Sequence, residues 1–174
     1  MKKFNFFLAL FMLASVCTSY AIDTLDVAPG NTSLIDAIKA NKGNKVYRLQ
    51  DGYNGYYVLP EIVICEDFSL TIIGGGAPDT NDPKPDMPPT IQLGSIDGSP
   101  LNYMFHIFQN ITLKDLYFVN ATTSGVLCPQ YFLNIAGNGS RVVIDNCIFD
   151  PSGNPFICFG ANVKLYVTNS LFNA

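Results

Sequence analysis

The chain has no tryptophan, one histidine and two arginines in its 174 residues. The lone histidine, His106, leaves no second imidazole for a His-based metal centre, and none of the five cysteines stands in a C-x-x-C pair, so a zinc site is not expected. Charge is scarce as well: 14% of residues are charged and the formal net charge is −4. With no basic patch to displace phosphate counterions, nucleic acid is not expected as a partner. Long apolar runs are absent beyond Phe4–Val16, which is too short to cross a bilayer comfortably.

That one run belongs to a targeting segment. Met1-Lys2-Lys3 is a positive n-region, Phe4–Val16 an apolar core, and Ser19-Tyr20-Ala21 a cleavage site. The pattern predicts a signal peptide over residues 1–21, export to the medium or cell surface, and no membrane span after cleavage. Lipidation at Cys17 fits poorly, because Val16 is bulky. Without Lys2 and Lys3 the balance is 8 basic against 14 acidic residues, or −6. Export permits disulfides among Cys65, Cys128, Cys147 and Cys158, which allow three pairings; as strand residues, Cys147 and Cys158 read as small buried side chains.

What the chain has in quantity is apolar and aromatic: 48% hydrophobic residues, with 13 Phe and 9 Tyr. Disorder is excluded and strands are favoured. The organising feature is a threefold echo, Asn110–Phe118 (NITLKDLYF), Arg141–Phe149 (RVVIDNCIF) and Lys164–Phe172 (KLYVTNSLF). Aligning Asp115, Asn146 and Asn169 gives steps of 31 and 23, and Phe105, Phe132 and Phe156 fall in register too, at steps of 27 and 24. Short strands repeating at such a period indicate a solenoid. The Asp/Asn position reads as a bend, since these residues tolerate a left-handed backbone. The Phe118, Phe149 and Phe172 column reads as an aromatic stack inside the coil. A leucine-rich repeat is disfavoured, because its L-x-x-L-x-L-x-x-N spacing is not met and no helical period lies between the strands.

Before these rungs, Asp23–Val27, Val46–Leu49, Tyr56–Leu59, Ile62–Cys65, Ser69–Ile73 and Thr90–Leu93 read as strands, with Gly74-Gly75-Gly76 ending the fifth. Asn31-Thr32-Ser33 offers N-cap side chains to a helix over Leu34–Ala40, with Gly43 as its stop. A short amphipathic helix there caps the first rung. Ala77–Pro89 (APDTNDPKPDMPP) is proline-rich and reads as a projecting loop.

LTIIGGG (Leu70–Gly76), FQNITLKDLYFVNA (Phe108–Ala121), VVIDNCIFD (Val142–Asp150) and LYVTNSLFN (Leu165–Asn173) together resemble the right-handed parallel β-helix proteins of the pectate-lyase-like superfamily. The resemblance implies an all-β solenoid over residues 22–174 with a short N-terminal capping helix. It also implies a polysaccharide partner, which the protein binds or degrades. The family's enzyme patterns are not met: where pectin methylesterases carry a Gln-Asp pair, Asp150–Asn154 reads DPSGN, and the polygalacturonase Asn-Thr-Asp is missing. Because Ala174 falls directly after a rung, further chain is expected beyond it, carrying any catalytic residues of a lyase. The alternative is a non-catalytic cell-surface adhesin or scaffold.

Individual candidates follow from residue chemistry. Arg141 and Asp145 share a strand face and pair a cation with a base, and His106 is the one imidazole. Tyr53, Tyr56 and Tyr57, beside glycine-rich turns, are candidates for stacking on sugar rings. Asp79, Asp82 and Asp86 in the proline-rich loop are candidate Ca²⁺ ligands, although EF-hand spacing fails at Pro83.

Overall fold

The computed structural model describes residues 22–96, 99–127, 131–150 and 154–173. The expected signal peptide and Cys128 lie outside them. β1 (Asp23–Val27) leads into α1 (Ser33–Asn41). From there the chain visits three sheets in a fixed order. A first turn is β2 (Lys45–Gln50), β3 (Tyr56–Leu59) and β4 (Val63–Cys65). β5 (Leu70–Gly76) and β6 (Thr90–Leu93) begin the second, which a small antiparallel hairpin, β7 (Ser95–Ile96) with β8 (Ser99–Pro100), interrupts before β9 (Tyr103–Ile107). The third turn is β10 (Ile111–Lys114), β11 (Tyr117–Val119) and β12 (Tyr131–Ile135). The fourth is β13 (Arg141–Asp145), β14 (Ile148–Asp150) and β15 (Phe156–Cys158), followed by β16 (Lys164–Thr168) and β17 (Leu171–Phe172).

Sheet A runs β1-β2-β5-β10-β13-β16, sheet B runs β3-β6-β11-β14-β17, and sheet C runs β4-β9-β12-β15, all pairs parallel. Among the described residues the fold is thus all-β, with three parallel sheets and one short α-helix, an arrangement consistent with a parallel β-solenoid. No helix among the described residues is long and apolar enough to cross a membrane.

The alternation of apolar residues supplies the interior. Tyr47, Ile72, Leu113 and Ile144 stack in sheet A, each fully buried. In sheet B, Tyr57, Ile91, Phe118, Phe149 and Phe172 form one column. Phe149 stacks on Phe118 at 4.8 Å and on Phe172 at 5.0 Å, with planes 9° and 7° apart. The expected aromatic stack is present, and parallel register lets identical rings face each other at the strand spacing.

Three local expectations are corrected. Phe132 is out of register with Phe105 and Phe156; the ladder instead pairs Phe105 with Leu133 and Leu133 with Phe156. Tyr131 pairs with Tyr103 and Leu133 with Phe105, so Phe132 falls opposite Met104, one position before that column, and the amides of Phe132 and Leu133 both donate to Pro155 O, at 3.1 and 3.2 Å. Matching phenylalanines by letter sets the alignment one position off. Secondly, β5 does not end at the glycine triplet but runs through Gly76. A Cβ on Gly74 would lie 2.2 Å from Asp115 O, so only glycine allows the next turn to pack this closely. Thirdly, α1 ends at Lys42, whose φ of 51° is left-handed, and not at Gly43, while its N-cap residue Thr32 makes no side-chain cap bond. The helix does cover the coil end, burying Leu34, Ile35 and Ile38.

Among the described residues Cys65, Cys147 and Cys158 are free thiols. Cys147 is buried as expected, and burial pushes its thiol, like that of Cys65, up to about 12. Cys158 is exposed, contrary to expectation. It continues the inward column Cys65–Ile107–Ile135, but on the outermost described strand of sheet C.

Candidate functional site

The outer face of sheet B carries the most distinctive surface. The ladder sets Tyr56 beside Thr90 and Thr90 beside Tyr117, so the two tyrosines stand two strands apart, about 10 Å. Tyr53, Asn54 and Met87 close the walls of a cleft of about 470 Å³ over them. Tyr53 is 60% exposed. Tyr117 Oη donates to Asp150 Oδ2 at 3.0 Å; burial, then this bond, raises its phenol above the usual range. Tyr56 is raised by burial alone.

One wall is the Ala77–Pro89 segment, which does not project but folds back on the Asp51–Gly55 turn. Asp82 ties it there. Its Oδ1 accepts from Tyr53 N at 3.0 Å and Lys84 N at 2.7 Å, and its Oδ2 accepts from Asn54 N at 2.7 Å. Desolvation pushes this carboxyl up, but the amides of Asn54, Lys84 and Tyr53 outweigh it and hold the group below the usual carboxylate range. Gly52 N donates to Met87 O at 2.6 Å, and a Cβ on Gly52 would lie 2.4 Å from Asp82.

Beyond the same segment lies a second cleft of about 380 Å³, at the corner between sheets A and B. Asp51, Asp86, Asp115, Asn146 and Ile148 line it. Gly75 N donates to Asp51 Oδ1 at 2.7 Å, and Asn146 Nδ2 to Asp115 Oδ1 at 2.8 Å. Burial raises the Asp51 carboxyl; the Gly75 amide partly offsets this, and the charge of Asp115 adds to it.

The expected site residues distribute unevenly over this geometry. Tyr53 and Tyr56 come together in the cleft. Tyr57 does not: its side chain points inward and is fully buried, with Oη donating to Val27 O at 2.6 Å and accepting from Gln50 N at 2.9 Å. It is a core residue because adjacent strand positions face opposite sides. Asp79, Asp82 and Asp86 do not converge. Asp79 accepts from Asn81 N at 3.0 Å, Asp82 faces three amides, and Asp86 lines the second cleft. A carboxylate ringed by N–H donors does not face a cation, so this donor set does not fit Ca²⁺. Among the described residues no three His, Cys, Asp or Glu side chains gather in a way that could hold a metal ion.

Arg141 and Asp145 do not form a surface pair. They lie about 13 Å apart along β13. Arg141 sits over the ring of Tyr166, 5.1 Å from its centroid. Asp145 bonds to Thr168 at 2.7 Å and Asn169 at 3.1 Å, with Lys114 at 3.8 Å; these partners, Thr168 first, hold its carboxyl low. His106 lies on the outer face of sheet C between the rings of Tyr103 and Phe108, with centroids 5.5 and 4.6 Å away. It lines neither cleft.

Tyr117, Met87, Thr90 and Asn54 are the cleft residues that sequence reasoning missed. Tyr117 lies inside the first echo, at an outward position next to Phe118, and only strand register brings it over Tyr56. Compared with known proteins, the chain matches no family model, no curated protein and no solved structure.

Proposed function

We propose that this chain is an exported polysaccharide-binding protein, built on the right-handed parallel β-helix of the pectate-lyase-like superfamily, that holds a glycan strand along the outer face of sheet B. The observation that carries the proposal is the cleft of Tyr53, Tyr56 and Tyr117. Tyrosine rings offer flat apolar faces to the C–H faces of sugars, and their hydroxyls hydrogen-bond at the rim. Rungs at a constant spacing suit a polymer with its own repeat, and a separation of two strands is comparable to a disaccharide unit of an extended glycan. Export belongs to the proposal through the signal-peptide pattern of residues 1–21.

Cleavage by a lyase-type base is not assigned to the described residues. Arg48 is held by Asp26 through two bonds, at 2.5 and 2.8 Å, and Arg141 lies over Tyr166, so both guanidinium groups are engaged.

A second reading, a surface scaffold, draws support from the outer face of sheet A. There Asp23–Lys45, Asp26–Arg48 and Lys114–Asp145 pair across neighbouring strands and neutralise one another. Affinity electrophoresis through gels containing a panel of soluble plant and bacterial polysaccharides separates the two. Retardation by at least one glycan, reduced in Tyr56→Ala and Tyr117→Ala variants of unchanged circular dichroism, supports binding. No retardation across the panel, or retardation that the double variant leaves unchanged, favours the scaffold.

A further inference from the structure

We infer that the tyrosine cleft selects a neutral, hydroxyl-rich glycan over a polyuronate, an inference that rests on the glycan-binding reading and names the sugar class. The charges around the cleft decide it. Asp82 lies under the Tyr53 and Asn54 backbone, and Asp150 accepts the Tyr117 hydroxyl. Asp51, Asp86 and Asp115 line the adjoining cleft, along the path a longer chain would take past the Asp86–Pro88 wall. Against these five carboxylates stands Lys84, in the loop itself, while Lys114 is already turned to Asp145.

A polyuronate carries a negative charge on every sugar and would meet this field with one lysine, Lys84, set against five carboxylates. The aspartates do not gather into a metal site able to bridge them to a polyanion; among the described residues no such group exists. A neutral sugar meets the same groups on favourable terms. Its hydroxyls are donors, carboxylate oxygens are strong acceptors, and hydrogen bonds to a charged acceptor are shorter and stronger than neutral ones. The tyrosine rings stack on either sugar alike, so the discrimination comes from the rim and depends on salt.

The matched test uses one backbone in two charge states. Isothermal titration compares an oligogalacturonate with its fully methyl-esterified form and with a neutral β-1,4-glucan oligomer, at low salt and at about 0.5 M salt, where screening is nearly complete beyond a few ångströms. The expected result is that a neutral oligomer, the ester or the glucan, binds at low salt. The free acid binds at least about tenfold more weakly than its own ester, and the gap narrows at high salt. Asp86→Lys, at an exposed loop position, raises affinity for the acid several-fold and so narrows the gap between acid and ester. Equal or tighter binding of the acid at low salt, or binding of the acid only when Ca²⁺ is added, overturns the inference while leaving glycan binding intact. Failure of all three oligomers to bind at either salt overturns the inference together with glycan binding at this cleft.

Discussion

Asn146 Nδ2 donates to Asp115 Oδ1 across one turn of the coil, at 2.8 Å, and the two backbones share the left-handed region with φ of 52° and 55°. Asn169 repeats the conformation at φ 51°, but its amide reaches Asp145 Oδ1 at 3.1 Å instead. The bend column is therefore a ladder in backbone conformation and only partly one in side-chain bonding. Two separate effects hold each bend, and substitution can tell them apart.

Asn146→Ala places a Cβ in left-handed backbone without asparagine's local hydrogen bonds and should cost about 1–2 kcal/mol. Asn146→Gly loses the same bond to Asp115 but carries no steric penalty, so it should cost less. Urea unfolding of the two variants checks the order. Equal losses would mean that the hydrogen bond, and not the backbone, holds the bend.

Phe149 is fully buried and stacked on both faces, so Phe149→Ala should cost about 3–5 kcal/mol. Phe172 is only partly buried, and Phe172→Ala should cost clearly less. Denaturant midpoints measured on the same day give the comparison. Similar losses at the two positions would contradict the described difference in packing.

Tyr57→Phe removes a hydroxyl that serves both Val27 O and Gln50 N inside the core, and should cost about 1–3 kcal/mol while leaving glycan binding unchanged. Alkaline pH probes the same groups. Burial raises Tyr47 and Tyr57 from 10.0 to about 12, and Cys65 and Cys147 from 9.0 to about 12. Each folded-state value lies above the unfolded one, so this contribution is fully present below the unfolded value and is lost as pH rises towards 12. The thermal midpoint should therefore hold from neutrality to near 9 and then fall, less steeply in Tyr57→Phe. A flat midpoint through that window would show that these groups are not buried as described.

Asp82→Ala should release the loop that walls both clefts. Its carboxyl is held below the usual carboxylate range, so its tie is present above the unfolded-state value and is lost as pH falls through the lower, folded-state one. Hydrogen exchange at the amides of Tyr53, Asn54 and Lys84 should accelerate in the variant. Unchanged protection of all three would show that the remaining backbone bonds, Gly52 to Met87 and Tyr53 to Lys84, suffice to hold the loop.

Much of the fold was legible because a parallel coil repeats its constraints locally. Alternating apolar residues in Ile111–Leu113 and Val142–Ile144 marked inward positions, Asp or Asn marked the bends, and Phe118 and Phe149 marked a stack. The misreadings arose where a local signal was overridden by a neighbouring turn. Glycines at 74–76 looked like a strand end, yet β5 runs on through them and needs Gly74 to pass beneath Asp115 and Gly76 to pass Leu49. Phe132 was aligned with Phe105 by letter, whereas the ladder puts Leu133 opposite Phe105. Of the site, Tyr53 and Tyr56 were visible as aromatics beside a turn. Tyr117 was not, because its place over Tyr56 follows from register across three strands. Asp82 looked like a metal ligand because three amides that satisfy it come from residues distant in sequence or hidden in a proline-rich loop.

The central claim is that Tyr53, Tyr56 and Tyr117 form one glycan-binding surface. The most direct measurement is a titration of isotopically labelled tyrosine followed by nuclear magnetic resonance, as a neutral oligosaccharide is added to the full chain. The ring signals of Tyr53, Tyr56 and Tyr117 should shift together along one saturable curve, while buried Tyr47 and Tyr57 and the sheet A residue Tyr166 stay in place. Saturable shifts confined to Tyr103, Tyr131 or Tyr166, or no shift at any tyrosine across neutral and acidic oligomers, would contradict it.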